Sequence, residues 1–300
     1  MFKDGDVICF LGDSITANGL WIAEAYQYLR KKYRIKCYNC GVSGGMAKKA
    51  AEYLHSNCLI YNPDYVVIMF GINDIGRWLY SEKNMNYPNR EALLIQMMAD
   101  YKLATEKIVN AVKDSGAEPV ICIPVPYDEV SDVPEENLRC QCLMDQCCDF
   151  LRDLAEKNNC QVVDFKSVLQ PMLGREAVIA PDRVHPTEFG YHIMGQVFLR
   201  DMGEKETCDF EAPFVFEDWN KARYDAEQKL KCINYVEFAD VFDTGWLLGK
   251  TLEEKKQIAK EKYEKCEIKT GFVPMAYLDY IENADHRDKM LGEVIKLTIF

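Results

Sequence analysis

The chain has 300 residues and a formal net charge of −12, from 36 basic against 48 acidic side chains, which leaves no electrostatic basis for binding nucleic acid or an anionic lipid surface. With 48% hydrophobic, 28% charged and 12% aromatic residues, and only 17 Gly and 11 Pro, the composition is that of a globular protein, neither disordered nor fibrous. The length allows one large domain, or one domain with an appendage.

The first apolar run is short, Val7 to Leu11 after Met1-Phe2-Lys3-Asp4-Gly5-Asp6. It reads as a strand rather than the core of a signal peptide. A turn follows, Gly12-Asp13-Ser14-Ile15-Thr16-Ala17-Asn18-Gly19, and then Ile22, Ala25, Tyr26 and Leu29 at helical spacing. Ile35 to Asn39 is the second predicted strand, ending in Asn39-Cys40-Gly41-Val42-Ser43-Gly44-Gly45. Cys37 and Cys40 have the spacing of a redox pair or half a zinc site, but no second pair completes four ligands and no helix opens there. Tyr65 to Phe70 is the third strand, followed by Gly71-Ile72-Asn73-Asp74 and by Arg77-Trp78-Leu79-Tyr80. The apolar run there ends at Ile72, far short of the roughly 18 residues that span a bilayer.

Leu94, Met97, Met98, Tyr101, Ile108, Val109 and Val112 predict a long helix before a fourth strand, Pro119 to Val125. Leu143, Cys147, Leu151 and Leu154 then share one helical face, which makes the surrounding cysteines small core residues. Gln161 to Phe165 is the fifth strand, and Asp182-Arg183-Val184-His185-Pro186 opens the last helix of the region. Strand and helix alternating in this way imply a parallel sheet covered on both faces, with ligands bound beyond the carboxyl ends of the strands. After residue 203 the pattern changes to helix-like stretches of mixed charge such as 251–265, with Trp219, Tyr224, Tyr235, Phe238, Phe242, Trp246 and Phe272 among them. These aromatics predict packing, either on the first domain or on a second copy of the chain as a homo-oligomer. The expected division is therefore 1–203 as catalytic domain and 204–300 as a mostly helical extension. Removing the residues after 205 is expected to change substrate preference or solubility. The 13 cysteines, with no signal segment before them, point to a reducing, cytoplasmic location.

Taken singly, Gly-Asp-Ser, Asn-Asp and Asp-x-x-His are ordinary turn chemistry. Together, in order and at strand ends, they carry a pattern. Phe10-Leu-Gly-Asp-Ser-Ile-Thr, Gly41-Val-Ser-Gly-Gly, Phe70-Gly-Ile-Asn-Asp and Asp182-Arg-Val-His-Pro resemble the four blocks of the SGNH hydrolases, also called the GDSL family of esterases and lipases, over roughly residues 5–200. The resemblance implies a flavodoxin-like three-layer α/β/α fold with a five-stranded parallel sheet. It also implies Ser14 as nucleophile, His185 as base, Asp182 as its acid partner, and an oxyanion hole from Ser14, Gly44 and Asn73, with Gly41 as the alternative glycine.

The chemistry is consistent with those residue types. A serine hydroxyl needs an imidazole to take its proton as it attacks, and a carboxylate fixes that imidazole's tautomer. A tetrahedral intermediate needs donors aimed at its oxyanion. Asp13 is expected to bond loop amides and hold the turn, while His55, His192 and His286 fall outside the blocks as structural or surface residues. The family acts on lipids, aryl esters, thioesters and acetylated sugars, so the blocks leave the ester open. Arg77, Trp78 and Tyr80 are candidates for the cleft mouth, where aromatic rings can face a sugar or an acyl chain. With no lipid-seeking segment, an acetyl ester of a carbohydrate is the first expectation. A lysophospholipase or thioesterase is the enzymatic alternative, and a noncatalytic binding module on the same fold is the other class. Neither a cofactor nor a metal is implied, and the expected partner is a small ester.

Overall fold

The structure, a computed structural model, describes residues 1–212. Five strands form one sheet: β1 (Val7–Gly12), β2 (Lys36–Gly41), β3 (Tyr65–Met69), β4 (Glu118–Ile123) and β5 (Gln161–Asp164). Their order is β2-β1-β3-β4-β5 and every neighbouring pair is parallel. This is the flavodoxin-like order, in which the chain winds one way from β1 to β2 and the other way from β3 onward.

Alternate residues of each central strand feed two separate cores. Ile8, Phe10, Val67, Met69, Val120 and Cys122 enter one. Cys9, Leu11, Val66, Ile68, Ile121 and Ile123 enter the other. The first core is closed by α2 (Leu20–Leu29), α6 (Phe165–Leu169) and α7 (Glu188–Asp201), and the second by α3 (Ala47–Asn57), α4 (Arg90–Asp114) and α5 (Gln141–Asn158). A short helix, α1 (Ser14–Asn18), connects β1 to α2. The predicted helical faces are the buried ones: Ile22, Ala25, Tyr26 and Leu29 in α2, and Tyr101, Ile108, Val109 and Val112 in α4. Burial on both faces explains why the strands read as continuous apolar runs in the sequence.

The strand limits differ from the expected ones by one or two residues. β2 runs on to Gly41 because Gly41 still pairs with Gly12 of β1. Residues three apart on a strand point to opposite faces, so Cys37 lies in the first core and Cys40 in the second. The Cys-x-x-Cys spacing therefore brings no pair of sulfurs together. In α5, Cys147 and Cys148 are buried as expected, whereas Cys142 is exposed, and no cysteine among the described residues is in a disulfide.

Beyond α7 the chain stays anchored to this domain through residue 210. The buried Glu204 accepts from the Phe2 amide (3.4 Å) and the Tyr33 hydroxyl (3.1 Å), with the Lys32 ammonium 3.5 Å away. Cys208 and Phe210 pack against the first core. The helical extension expected for the remainder, with its aromatics, falls on 213–300 and lies outside the described residues. No helix among the described residues is long and apolar enough to cross a membrane.

Candidate active site

Three of the four sequence blocks follow β1, β2 and β3, adjacent strands whose carboxyl ends flank the point where the winding reverses. Gly12 ends β1 where no larger residue fits, since an added Cβ would lie 2.8 Å from the Met69 carbonyl oxygen. Asp13 caps α1, its Oδ1 accepting from the Ile15 amide (2.9 Å). That is the turn-holding role expected of it. Ser14 is thereby the first residue of the helix, and its Oγ lies 2.8 Å from His185 Nε2.

His185 and Asp182 come from a distant part of the sequence, in a loop before α7. They do not open the helix as the sequence suggested: α7 starts at Glu188, capped by Thr187, whose hydroxyl accepts from the Gly190 amide (3.1 Å). The loop is closed by a bridge between Ile179 and Pro186, made by the Ala180 amide on the His185 carbonyl (2.7 Å) and the Thr187 amide on the Val178 carbonyl (3.0 Å). Within it, Asp182 Oδ2 faces His185 Nδ1 at 2.6 Å, while Oδ1 accepts from the amides of Val184 (3.0 Å) and His185 (2.9 Å). Partial burial opposes ionisation of Asp182, but these bonds outweigh it and hold the carboxyl below its usual range. The result is a hydrogen-bonded chain from carboxylate through imidazole to hydroxyl.

The candidate donors lie in the turns after β2 and β3. Gly44 sits in the turn after β2 at φ 72°, a left-handed conformation that favours glycine, and an added Cβ would meet nothing within 4 Å. Gly41, the alternative, is packed differently: a Cβ there would fall 2.3 Å from the Ala17 amide nitrogen. Its glycine is a packing requirement. Gly45 lies against the nucleophile turn, with its Cβ position 3.4 Å from Asp13 Cα, and its carbonyl accepts from Asn73 Nδ2 (3.0 Å). An amide nitrogen carries two hydrogens, so Asn73 keeps a second donor while it is held in place.

Several residues that the sequence reading passed over set this geometry. Asp74 is 1% exposed and accepts from the Ala47 amide at the start of α3 (2.8 Å) and from the Gly71 amide (3.1 Å), tying the Gly44 turn to the Asn73 turn. Burial pushes its carboxyl up to about 7, and that of Asp13 up to about 6. Arg183 stands between the acid and the base at φ 66° and is itself buried. Its guanidinium donates to the carbonyls of Glu135 (2.8 Å), Asp128 (3.0 Å), Ser131 (3.1 Å) and Val133 (3.1 Å), all in the loop after β4. Glu136 of the same loop accepts from Ser81 Oγ (2.8 Å) and the Glu82 amide (2.7 Å). The segments carrying His185, the β4 loop and the stretch after Asn73 are thus fastened to one another.

The three cleft candidates differ. Arg77 is half-buried, and its charge acts on Asp13, Tyr127 and Cys140. Trp78 is 43% exposed and meets Tyr87 edge to face with ring centroids 5.0 Å apart. Tyr80 is covered by the Arg90 guanidinium, 4.6 Å from its ring centroid. His55 is exposed, and His192 is fully buried 3.2 Å from Glu24, away from the Ser14 chain; His286 lies outside the described residues.

The sequence matches the model of the GDSL-like lipases/acylhydrolases over residues 8–198. The chain belongs to this family. It is accordingly a carboxylic ester hydrolase, and the match takes in all four segments just described. Among its relatives, an acetylxylan esterase of Geobacillus stearothermophilus is 25% identical over 223 residues, covering 66% of this chain and 94% of that protein. The crystal structure of Axe2, an acetylxylan esterase from Geobacillus stearothermophilus, superposes with a TM-score of 0.57 at 24% identity, over 68% of this chain and 97% of that one. A gut microbial diltiazem-metabolizing enzyme superposes with a TM-score of 0.59 at 23% identity, over 68% of this chain; the chain spans 48% of that longer protein. Both structures share the fold.

Proposed function

We propose that this GDSL-family chain removes acetyl groups from a carbohydrate by a serine mechanism, with Ser14, His185 and Asp182 as the triad. The observation that carries the mechanism is the continuous hydrogen-bonded chain, 2.8 Å from Ser14 Oγ to His185 Nε2 and 2.6 Å from His185 Nδ1 to Asp182 Oδ2. Ser14 Oγ attacks the acetyl carbonyl carbon while its proton passes to Nε2. Asp182 accepts the Nδ1 hydrogen and stabilises the imidazolium that forms. The backbone amides of Ser14 and Gly44 and the free Nδ2 hydrogen of Asn73 stabilise the oxyanion. His185 then protonates the departing sugar oxygen, leaving an acetyl-enzyme. A water gives its proton to His185 as it attacks that ester, which releases acetate and restores Ser14.

The substrate rests on the acetylxylan esterase relative, which this chain covers almost end to end. Two solved variants of Axe2, described as catalytic mutants, replace a serine and a histidine by alanine. In this reading the exposed Trp78 meets a sugar ring and Arg77, whose charge acts on Asp13, supplies a cation near the nucleophile turn. The test is hydrolysis of p-nitrophenyl acetate, longer-chain p-nitrophenyl esters, acetylated xylooligosaccharides, a lysophospholipid and an acyl thioester. Acetylated oligosaccharides should be the best substrates, and Ser14→Ala should lose about 1,000-fold or more of kcat/KM. Preference for long acyl chains would favour a lysophospholipase or thioesterase, and wild-type inactivity on every ester would favour the binding module. Activity surviving Ser14→Ala would overturn the mechanism.

A further inference from the structure

A second group of reactive side chains lies in the core that β1 and β2 share with α3. Cys9 of β1, Cys40 of β2 and Cys58 at the end of α3 are 0%, 1% and 0% exposed, and their three sulfurs lie within 4.8 Å of one another. They come from three different elements, so folding alone brings them together. The Cys9 thiol donates to the Cys58 carbonyl oxygen (3.7 Å), and no His or carboxylate joins the three sulfurs among the described residues. Bonds of about 2.3 Å from sulfur to a common pyramidal centre with angles of about 100° would put the sulfurs about 3.5 Å apart, inside the observed limit of 4.8 Å.

Charge selects the occupant. The surroundings are the aliphatic and aromatic residues of the second core, and all three cysteines are buried within it. An occupied site must therefore be close to neutral. Zinc with three thiolates carries a net negative charge and lacks a fourth ligand in a place closed to water. Monovalent copper is neutral with a single thiolate, which leaves two protonated sulfurs as poor donors. A trivalent metalloid balances all three. We infer that Cys9, Cys40 and Cys58 form a binding site for trivalent arsenic or a chemically similar soft trivalent ion. With arsenite the step is As(OH)3 plus three Cys–SH giving As(S–Cys)3 plus three H2O; three As–O bonds are exchanged for three As–S bonds and nothing is oxidised or reduced. The bound centre would join β1 and β2, the strands that lead into the Ser14 and Gly44 turns.

The test uses the full-length chain with arsenite, added either to the folded protein or during refolding because the sulfurs are closed off from solvent. Intact mass should show one arsenic gained and three hydrogens lost, and X-ray absorption at the arsenic edge should show three sulfur neighbours. Zinc offered in the same way should not displace it. Cys9→Ala, Cys40→Ala and Cys58→Ala should each weaken uptake at least about tenfold, a loss of about 1.4 kcal/mol or more. Cys37→Ala and Cys142→Ala should leave it unchanged, and retained esterase activity reports that each variant is folded. The absorption measurement on wild type needs no variant: two sulfurs, mixed sulfur and oxygen, or no uptake by either route overturns the proposal. So does three-sulfur coordination that survives the loss of any of the three cysteines, or preferential uptake of zinc.

Discussion

At the scale of single residues, the floor of the site is built on buried carboxyls as much as on the triad. Asp74 and Asp13 are pushed up to about 7 and about 6 by burial, so the folded state keeps protons that the unfolded chain has already released above its carboxyl range. Stability must then fall as pH rises from about 4 to about 7, by up to about 1.4 kcal/mol per pH unit for each proton so held. Asp182 acts in the opposite sense, since its lowered carboxyl adds stability that is lost only as pH drops below the ordinary carboxylate range. Urea midpoints measured across pH 4 to 8 should therefore slope downward in the wild type and flatten in Asp74→Asn, an effect separate from any loss of the Ala47 or Gly71 bond. On catalysis, Asn73→Ala should lower kcat about 100- to 1,000-fold with little change in KM, as expected for a donor used chiefly in the transition state.

At the scale of elements, glycines and a buried arginine decide how the turns after the strands can run. Gly41→Ala forces a Cβ to within 2.3 Å of a backbone nitrogen of α1, and overpacking of that kind costs about 1–3 kcal/mol. Gly44→Ala meets no atom but must hold φ 72°, at about 1–2 kcal/mol. Chemical denaturation should rank Gly41→Ala as the more damaging to the fold, and kcat should rank Gly44→Ala as the more damaging per unit of stability lost. Arg183→Gln should keep Ser14 in place yet release the β4 loop from the histidine loop, lowering both kcat and the thermal midpoint; Arg183→Lys cannot reach four carbonyls and should not rescue either. The two turn glycines stood out in the chain itself, but which of them is a packing requirement did not. The strands were legible, because runs such as Tyr65 to Phe70 are apolar on both faces; Ser14, Asn73 and His185 were singled out as candidates by their fixed local patterns, the first two just beyond β1 and β3. Arg183 carries no such signal, since an arginine beside an aspartate in a polar turn reads as solvent-facing until its four acceptors, about fifty residues away, are known. Asp74 was taken for turn chemistry because its two amide partners belong to different strand ends. The sulfur cluster escaped for the same reason: sequence spacing singled out Cys37 with Cys40, while the strand alternation pairs Cys40 with residues 9 and 58 instead.

At the scale of the whole molecule, the described core does not end at residue 203. Glu204, Cys208 and Phe210 all contact it, so a chain ending at 203 should melt several degrees below one ending at 212, given about 2–4 °C per kcal/mol for a domain of this size. Truncation experiments on the remaining residues are best begun at 212. The sheet and the histidine loop also differ in how they are held. Ser14, Gly44 and Asn73 hang from three neighbouring strands, whereas His185 and Asp182 belong to no strand of the sheet and depend on the Ile179–Pro186 bridge with its Ala180–His185 and Thr187–Val178 amide bonds, the Asp128 amide on the Arg183 carbonyl, and the Arg183 guanidinium clamp. A segment fastened in this way can open without the sheet coming apart. The amide hydrogens of Ala180 and Thr187 should exchange with deuterium well before those of Leu11 or Val67, and activity should vanish at urea concentrations where circular dichroism still reports an intact fold. Such an enzyme is disarmed before it is denatured, and dilution of the urea should restore turnover faster than any refolding of the strands would allow.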